Sequence, residues 1–188
     1  ERRRAEEALR QSEERYRLLS LTDSLTGLFN SRHLMQALQS ELDRANRYQR
    51  PLSLLIIDCD NFKKINDQYG HLEGDKVLQT LAGLITHSLR TSDNGFRYGG
   101  EEFVILLPET TGQAALALAE RLRANFAETT VFSDAGEPIC CTISVGVAQS
   151  LPGENEKSLI RRADKVGYEA KRKGKNLVLL AKNLADSF

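Results

Sequence analysis

The sequence predicts an α+β domain. Its ferredoxin-like, palm-type βαββαβ core would hold a central, mainly antiparallel sheet flanked by helices, preceded by a coiled-coil-like stalk helix. Three observations predict it. Residues 52–58 (LSLLIID) form a nearly continuous apolar run, the mark of a central strand. Residues 94–98 and 103–107 read as strands either side of Gly99-Gly100, a tight-hairpin signal, because glycine alone takes positive φ at no steric cost. Helical spacings of apolar residues fill the intervals, so the order reads β-α-β and then, across the hairpin, a second β-α-β.

Length and composition bound the rest. A chain of 188 residues suits one domain plus an appendage. Its formal net charge is zero, and no stretch approaches ~18 consecutive apolar residues, so no membrane-spanning helix is expected. No basic stripe marks a nucleic-acid footprint, so no nucleic acid polymer is expected as a partner. The first residue is Glu1 and the single methionine is Met35, as in a piece of a longer chain. Cys59, Cys140 and Cys141 show no metal-ligand spacing; free thiols on apolar strands fit a reducing, cytoplasmic setting for this domain, whether or not the parent chain is membrane-anchored.

Taken in order, residues 1–22 read as the stalk helix. Ala5, Leu9, Tyr16 and Leu19 recur at spacings of four, seven and three, a stripe to be covered either by the domain or by a second copy of the same helix; its narrowness favours the second copy and hence a homodimer. Residues 23–180 read as the main domain and 181–188 as a tail. Residues 22–27 break the first helix with turn formers, and Asn30 can cap a helix over 31–49 with Leu34, Leu38, Leu42 and Ala45 on one face. Pro51 ends that connection. After the strand over 52–58 come a short helix over 62–69, a turn from Gly70 to Gly74 and a helix over 75–89. Pro108 stops the second hairpin strand, a helix follows over 111–128, then a β-branched strand over 139–148, a helix over 157–173 and a strand over 176–180.

The predicted topology has a chemical consequence. The strand ending at Asp58 lies antiparallel beside the one that Glu101 opens, so the two carboxylates converge at one end of the sheet. Like charges that close repel unless a divalent cation neutralises them, and hard oxygen ligands on irregular backbone suit Mg²⁺ or Mn²⁺, which also take substrate phosphates.

Five segments in order resemble the GGDEF domain of the diguanylate cyclases. Gly99-Gly100-Glu101-Glu102-Phe103 is similar to its signature in the Glu form, and Asp23 to Asn30 (DSLTGLFN) to its opening. Asp58-Cys59-Asp60-Asn61-Phe62-Lys63, continuing to Asn66-Asp67, resembles its first-strand motif, and Gly70-His71 with Gly74-Asp75 falls next in order. Ala163-Asp164 through Lys171 to Asn176 completes the set, so the resemblance covers roughly residues 23–176. It implies a nucleotidyltransferase that condenses two GTP into cyclic di-GMP with release of two pyrophosphates. Each domain would hold one GTP, and two domains would face each other so that each 3′-hydroxyl attacks the other's α-phosphate.

The resemblance also implies roles. Asp58 and Glu101, with the Cys59 carbonyl, would bind two Mg²⁺ (or Mn²⁺) ions per site. Glu101 would assist deprotonation of the 3′-hydroxyl, beside its signature neighbour Glu102, and Lys63 would stabilise the transition state. The main-chain N–H groups of Asn61 and Phe62 would hold phosphate oxygens. Asn66 and Asp75 would read guanine, although Asp75 is equally placed to cap a helix. His71 is a candidate substrate contact or a structural turn residue. Lys171 and Lys175, four apart and so on one helix face, would grip the β- and γ-phosphates. Lys175 stands where the family more often has arginine, and Val166-Gly167 where it has Ala-Leu; a mid-helix glycine costs ~1 kcal/mol. Arg90 and Asp93 match the spacing of the family's product-binding inhibitory site, with Arg121 of a neighbouring domain as a further contact; a plain helix end is the alternative. Cyclic di-GMP would thus be product and inhibitor, and a sensor domain would precede this chain in its parent. A degenerate domain that only binds GTP or cyclic di-GMP is a rival reading, opposed by the retained Asp58, Glu101 and Glu102. A polymerase or adenylate-type cyclase is opposed by Asn66 and Asp75.

Overall fold

A computed structural model describes residues 21–182, so the expected stalk helix and its stripe lie outside the described residues, as does the tail beyond 182. The elements run β1 (Phe29–Asn30), α1 (Ser31–Tyr48), β2 (Leu52–Cys59), α2 (Phe62–Tyr69) and α3 (His71–Ser88). Then follow β3 (Asn94–Gly99), β4 (Glu102–Pro108), α4 (Gly112–Glu128), β5 (Thr130–Phe132), β6 (Pro138–Cys140), β7 (Ile143–Gln149), α5 (Glu156–Arg172) and β8 (Val178–Leu180). Six strands make one sheet in the order β1-β3-β4-β2-β7-β8, while β5 and β6 pair with each other. The inner four, antiparallel to one another, are the expected βαββαβ core, and β1 and β8 add parallel edges to it.

Strand β2 is central because both of its faces are apolar. Leu55 and Ile57 point with Phe103 and Ile105 into a core closed by α3 and α4. Leu54 and Ile56 point with Val104 and Leu106 into a second core closed by α1 and α5. Each such side chain, taken out of water on folding, is worth roughly 1.5–3 kcal/mol, which is why the alternating faces hold one register. Side-chain caps start three helices: Asn30, as expected, accepts from the His33 amide (3.1 Å), and Thr111 and Asn155 act alike at α4 and α5.

Three expectations are corrected. Helix α3 begins at His71, not Asp75, and ends at Ser88. One left-handed residue, Gly70 (φ +91°), suffices to separate α2 from α3, and Gly74 lies inside the helix. Asp75 is therefore in the second turn and caps nothing. The strand expected over 139–148 is split: Pro138–Cys140 joins β5, a strand the sequence did not suggest, and β7 starts only at Ile143. The break falls where Asp60 takes the Thr142 carbonyl on its amide (2.8 Å) and the Thr142 hydroxyl on its carboxylate (2.7 Å).

The third concerns the Gly167 crossing: a Cβ on Gly167 would make only ordinary contact with the Gly146 backbone (3.4 Å), and it is Gly146 that cannot take one. Here α5 crosses β7 with backbones nearly touching: a Cβ on Gly146 would lie 2.0 Å from the Ala163 carbonyl and 2.6 Å from the Gly167 nitrogen. Gly146 thus replaces side-chain contact with backbone contact, and sets the depth at which α5 delivers its last turn. Gly146→Ala is expected to lower the unfolding temperature by roughly 3–10 °C, from an overpacking cost of a few kcal/mol. A thermal melt shifted by less than a degree would show that α5 moves aside freely.

Candidate functional site

The end of the sheet carrying the hairpin is where the sequence motifs meet. Strand β2 runs one residue past Asp58, and β4 opens at Glu102, so Asp58 pairs with Glu102 and not with Glu101. Glu101 sits in the turn, its carbonyl accepting from the Cys59 amide (3.3 Å). The pleat therefore puts Asp58 and Glu102 on one face, with Glu101 one residue further out. Lys171, at the end of α5, reaches that face and pairs with Asp58 at 2.6 Å.

The electrostatics are those of a site short of positive charge. Burial pushes the Asp58 carboxyl above the usual range; hydrogen bonding and charge from Lys171 pull it back, and the Asp60 charge pushes it further up. Burial, and then the Asp58 charge, push Glu102 up as well. Among the described residues no three His, Cys, Asp or Glu side chains converge as a metal cage. A Mg²⁺-type ion needs only one or two carboxylates plus carbonyl and phosphate oxygens, so the donors present fit it. The Cys59 thiol is buried in the core with Leu55 and Ile57, on the face of β2 away from Asp58, so the main chain is what this residue offers the site; its hydrogen bond with Cys141 and its burial raise its pKa.

Neither conformation nor internal packing requires the hairpin glycines. Neither Gly99 nor Gly100 has positive φ, contrary to the expectation. Around the place of a Gly100 Cβ there is no atom within 4 Å, so the turn presents bare backbone to the site. Its shape is held from behind by Arg97, which donates to the Gly100 carbonyl (Nη2, 2.8 Å; Nε, 3.2 Å) and to both oxygens of Asp23 (3.2 and 3.3 Å). Burial alone would raise the Asp23 carboxyl; hydrogen bonds from Thr26 and Arg97 outweigh it and hold the group below its usual range. Sequence reasoning gave Arg97 no role. The signal available was a cation in a hairpin strand matched by an acid in the opening turn.

The remaining candidates line two segments. Asn61 is left-handed (φ +57°) ahead of α2, Phe62 is buried and Lys63 is exposed in the first turn. The Oδ1 atom of Asn66 is buried without a partner, and it lies over Gly74, where a Cβ would approach it to 1.9 Å. Asp75 stands next to that gap, half-buried, and His71 is exposed at the start of α3. Lys175 is not on the helix with Lys171. Helix α5 ends at Arg172, and Lys175 and Asn176 are both left-handed (φ +67° and +46°). The loop nonetheless returns Lys175 to the site, where its Nζ donates to the Asn61 side chain.

At the opposite end of β3, six residues or roughly 20 Å away, Arg90 and Asp93 form a closed turn. The Arg90 amide donates to Asp93 Oδ2 (3.0 Å) and the Asp93 amide to the Arg90 carbonyl (3.0 Å), which leaves the guanidinium exposed. Both line a cavity of about 480 Å³ with Leu28, Thr86 and Leu89. Helix α3 ends before Arg90, so the turn is not merely its last residues. Arg121 is exposed on α4 and does not line this cavity. No helix among the described residues is long and apolar enough to cross a membrane.

Comparison with known proteins agrees with this geometry. The family described as "Diguanylate cyclase, GGDEF domain" matches residues 20–177. Diguanylate cyclase DgcP of Pseudomonas aeruginosa is 44% identical over 162 residues, 86% of this chain and 24% of its own length. Diguanylate cyclase A of Treponema denticola is 41% identical over 169 residues, 88% of this chain and 45% of its own. The chain thus spans less than half the length of these curated relatives. Among solved structures, the coiled coil and GGDEF domain of DgcB from Caulobacter crescentus, in complex with c-di-GMP, superposes with a TM-score of 0.90 at 30% identity and 93% coverage of each chain. The active GGEEF domain of a diguanylate cyclase from Vibrio cholerae gives 0.77 at 38% identity, covering 83% of this chain and 99% of that one.

Proposed function

The chain belongs to the GGDEF family of diguanylate cyclase domains, and we propose that it condenses two GTP into cyclic di-GMP with release of two pyrophosphates. The observation that carries this reading is the sheet end itself: Asp58 against Glu102, countered by Lys171, beside a glycine turn with open space before it. Residues 23–180 act as the catalytic unit, with 1–22 as a dimerising helix, 181–188 as a tail and a sensor domain ahead of it in the parent chain.

Asp58, the Cys59 carbonyl and Glu101 would hold two Mg²⁺ or Mn²⁺ ions, which when bound neutralise triphosphate charge. The protein groups orient and move protons. Asn66 and Asp75 hydrogen-bond the guanine, the first through the Oδ1 that the fold leaves buried and unpaired. His71 lies at the entrance to that pocket. Main-chain amides of Asn61 and Phe62, with Lys171 and Lys175, hold the triphosphate, a task of positioning and charge neutralisation. Glu101 takes the proton from the 3′-hydroxyl as that oxygen bonds to the α-phosphorus of the facing GTP. The bond from the α-phosphorus to its bridging oxygen breaks, Lys63 steadies the charge, and pyrophosphate leaves. The same step in reverse orientation closes the ring. Glu102 fixes the hairpin face beside Asp58. Incubation with GTP and Mg²⁺ followed by nucleotide separation should yield cyclic di-GMP and pyrophosphate in a 1:2 ratio; GTP returned unchanged by the dimeric protein would refute the reading.

Product feedback is proposed at Arg90 and Asp93, with Arg121 of a neighbouring domain as a third contact. The site lies a strand's length from Glu101, so bound cyclic di-GMP need not compete with GTP. Arg90→Ala is expected to leave the initial rate unchanged and to raise the half-inhibitory concentration of cyclic di-GMP roughly 5- to 150-fold, the range of ordinary allosteric coupling. Superimposable inhibition curves for variant and wild type would place any feedback at the GTP site instead.

A further inference from the structure

The carboxylate of Asp60 is buried and held by three hydrogen bonds, and the mechanism above gives it no task. It is 3% exposed, and none of the ion pairs among the described residues includes it. Three donors from two distant segments satisfy it: Ser144 Oγ (2.6 Å), Thr142 Oγ1 (2.7 Å) and the Asn176 amide (2.9 Å). A buried charge without a counter-ion is costly unless hydrogen bonds replace its hydration, so this arrangement holds only while all three segments stay in place.

Backbone strain gathers at the same point. Five non-glycine residues among those described have positive φ, and three of them, Asn61, Lys175 and Asn176, adjoin this knot. Asn61 follows Asp60 directly, and Asn176 is the residue that donates to it. Left-handed backbone is costly for a lysine in particular and persists only where surrounding bonds impose it. Here the Lys175 amide is bonded to the Ala170 carbonyl (3.1 Å), and Asn176 is fixed by Asp60 on its amide and by Arg123 on its side chain (2.8 Å). The result is that Lys175 reaches Asn61.

We propose that Asp60 is the positioning residue of the triphosphate grip: it clamps the start of α2 and the loop beyond α5 to the start of β7, and so holds Lys175 and the Asn61 amide at one spacing. This rests on the reading of Lys175 and Asn61 as phosphate-binding groups. Asp60 touches no substrate; it acts through Asn176 and Asn61. The chemistry it tunes is recognition of a nucleoside triphosphate by its phosphates, separate from guanine recognition on α2 and α3.

The test measures binding of 3′-deoxy-GTP, which keeps the triphosphate and lacks the attacking hydroxyl, to the full chain with Mg²⁺. Wild type, Asp60→Ala, Lys175→Ala and the double variant are compared, with KM and kcat for GTP alongside. Asp60→Ala is expected to weaken binding roughly 10- to 100-fold, the scale on which supporting residues act through the groups they orient. KM should rise by a similar factor with kcat nearly unchanged. In the Lys175→Ala background the same substitution should cost distinctly less, about threefold, because one of the two groups whose spacing it fixes is gone. Equal losses in both backgrounds, or a fall in kcat with KM unmoved, would overturn the proposal. The pair Thr142→Val and Ser144→Ala frees the carboxylate from the strand side and carries the same test if the alanine variant does not fold; unchanged affinity there also overturns it. Wild type that binds no 3′-deoxy-GTP would overturn the functional reading, and this proposal with it.

Discussion

Asp58→Asn and Glu101→Gln are each expected to lower GTP turnover by at least ~10²–10³-fold, the scale of losing one preorganised electrostatic contact to a reacting phosphoryl group. Neither change should harm the fold, and for Asp58 the expectation is sharper. Its folded-state pKa is raised, because burial outweighs the Lys171 pair at 2.6 Å. A carboxyl of that kind adds stability when protonated, below its ordinary value near 4, and the contribution is lost as pH rises through the raised value. Glu102 behaves alike, for the same first cause. The metal-free protein should therefore melt at lower temperature as pH rises from about 4 toward neutrality, and Asp58→Asn should flatten that slope. Added Mg²⁺ should raise the melting temperature of the wild type at neutral pH and that of the variant much less. Melts across this pH range, with and without Mg²⁺, check the point. A variant that melts lower than wild type at neutral pH without metal would mean that the Lys171 ion pair outweighs burial after all.

What could be read from the sequence was what depends on neighbours in the chain. The apolar run of β2, the caps at Asn30 and the apolar faces of α1 and α4 all declare themselves within a few residues. The convergence of Asp58 with the hairpin also followed, since it needs only strand order; the one-residue offset that pairs Asp58 with Glu102 did not. What stayed hidden depends on distant partners. Asp60 meets its donors at separations of 82, 84 and 116 residues, and Arg97 meets Asp23 at 74. No local pattern signals such bonds. Glycine misled for a related reason. At Gly70 it is needed for φ, whereas at Gly74 and Gly146 it is needed for what lies opposite: a side chain in the first case and a crossing backbone in the second. Periodicity sees neither, and it puts the start of α3 four residues late.

The corrected start of α3 decides the standing of Asp75. A capping aspartate should stabilise its helix by ~1 kcal/mol, and its loss would show in a melt. In the second turn of α3 the carboxylate has no cap to make, and no hydrogen bond or ion pair among the described residues engages it. It stands beside Gly74, whose missing Cβ leaves Asn66 its place with Oδ1 buried and unpaired. A fold rarely leaves a buried amide oxygen such as Asn66 Oδ1 without a donor, because it costs free energy until one is supplied. Guanine supplies donors from N1–H and its exocyclic amine, and adenine presents no such pair of donors on that edge. Asp75→Ala is therefore expected to leave the melting temperature of the nucleotide-free protein within about 1 °C, since less than ~0.5 kcal/mol is at stake away from caps and core. The same change should erode the preference for GTP over ATP by as much as ~10⁴-fold, the discrimination available to a site whose polar groups are left unpaired by the wrong ligand. The comparison is kcat/KM for GTP and ATP in both proteins beside their melting curves. Unchanged selectivity with a lowered melting temperature would make Asp75 a structural residue of α3 and leave guanine recognition to Asn66 alone.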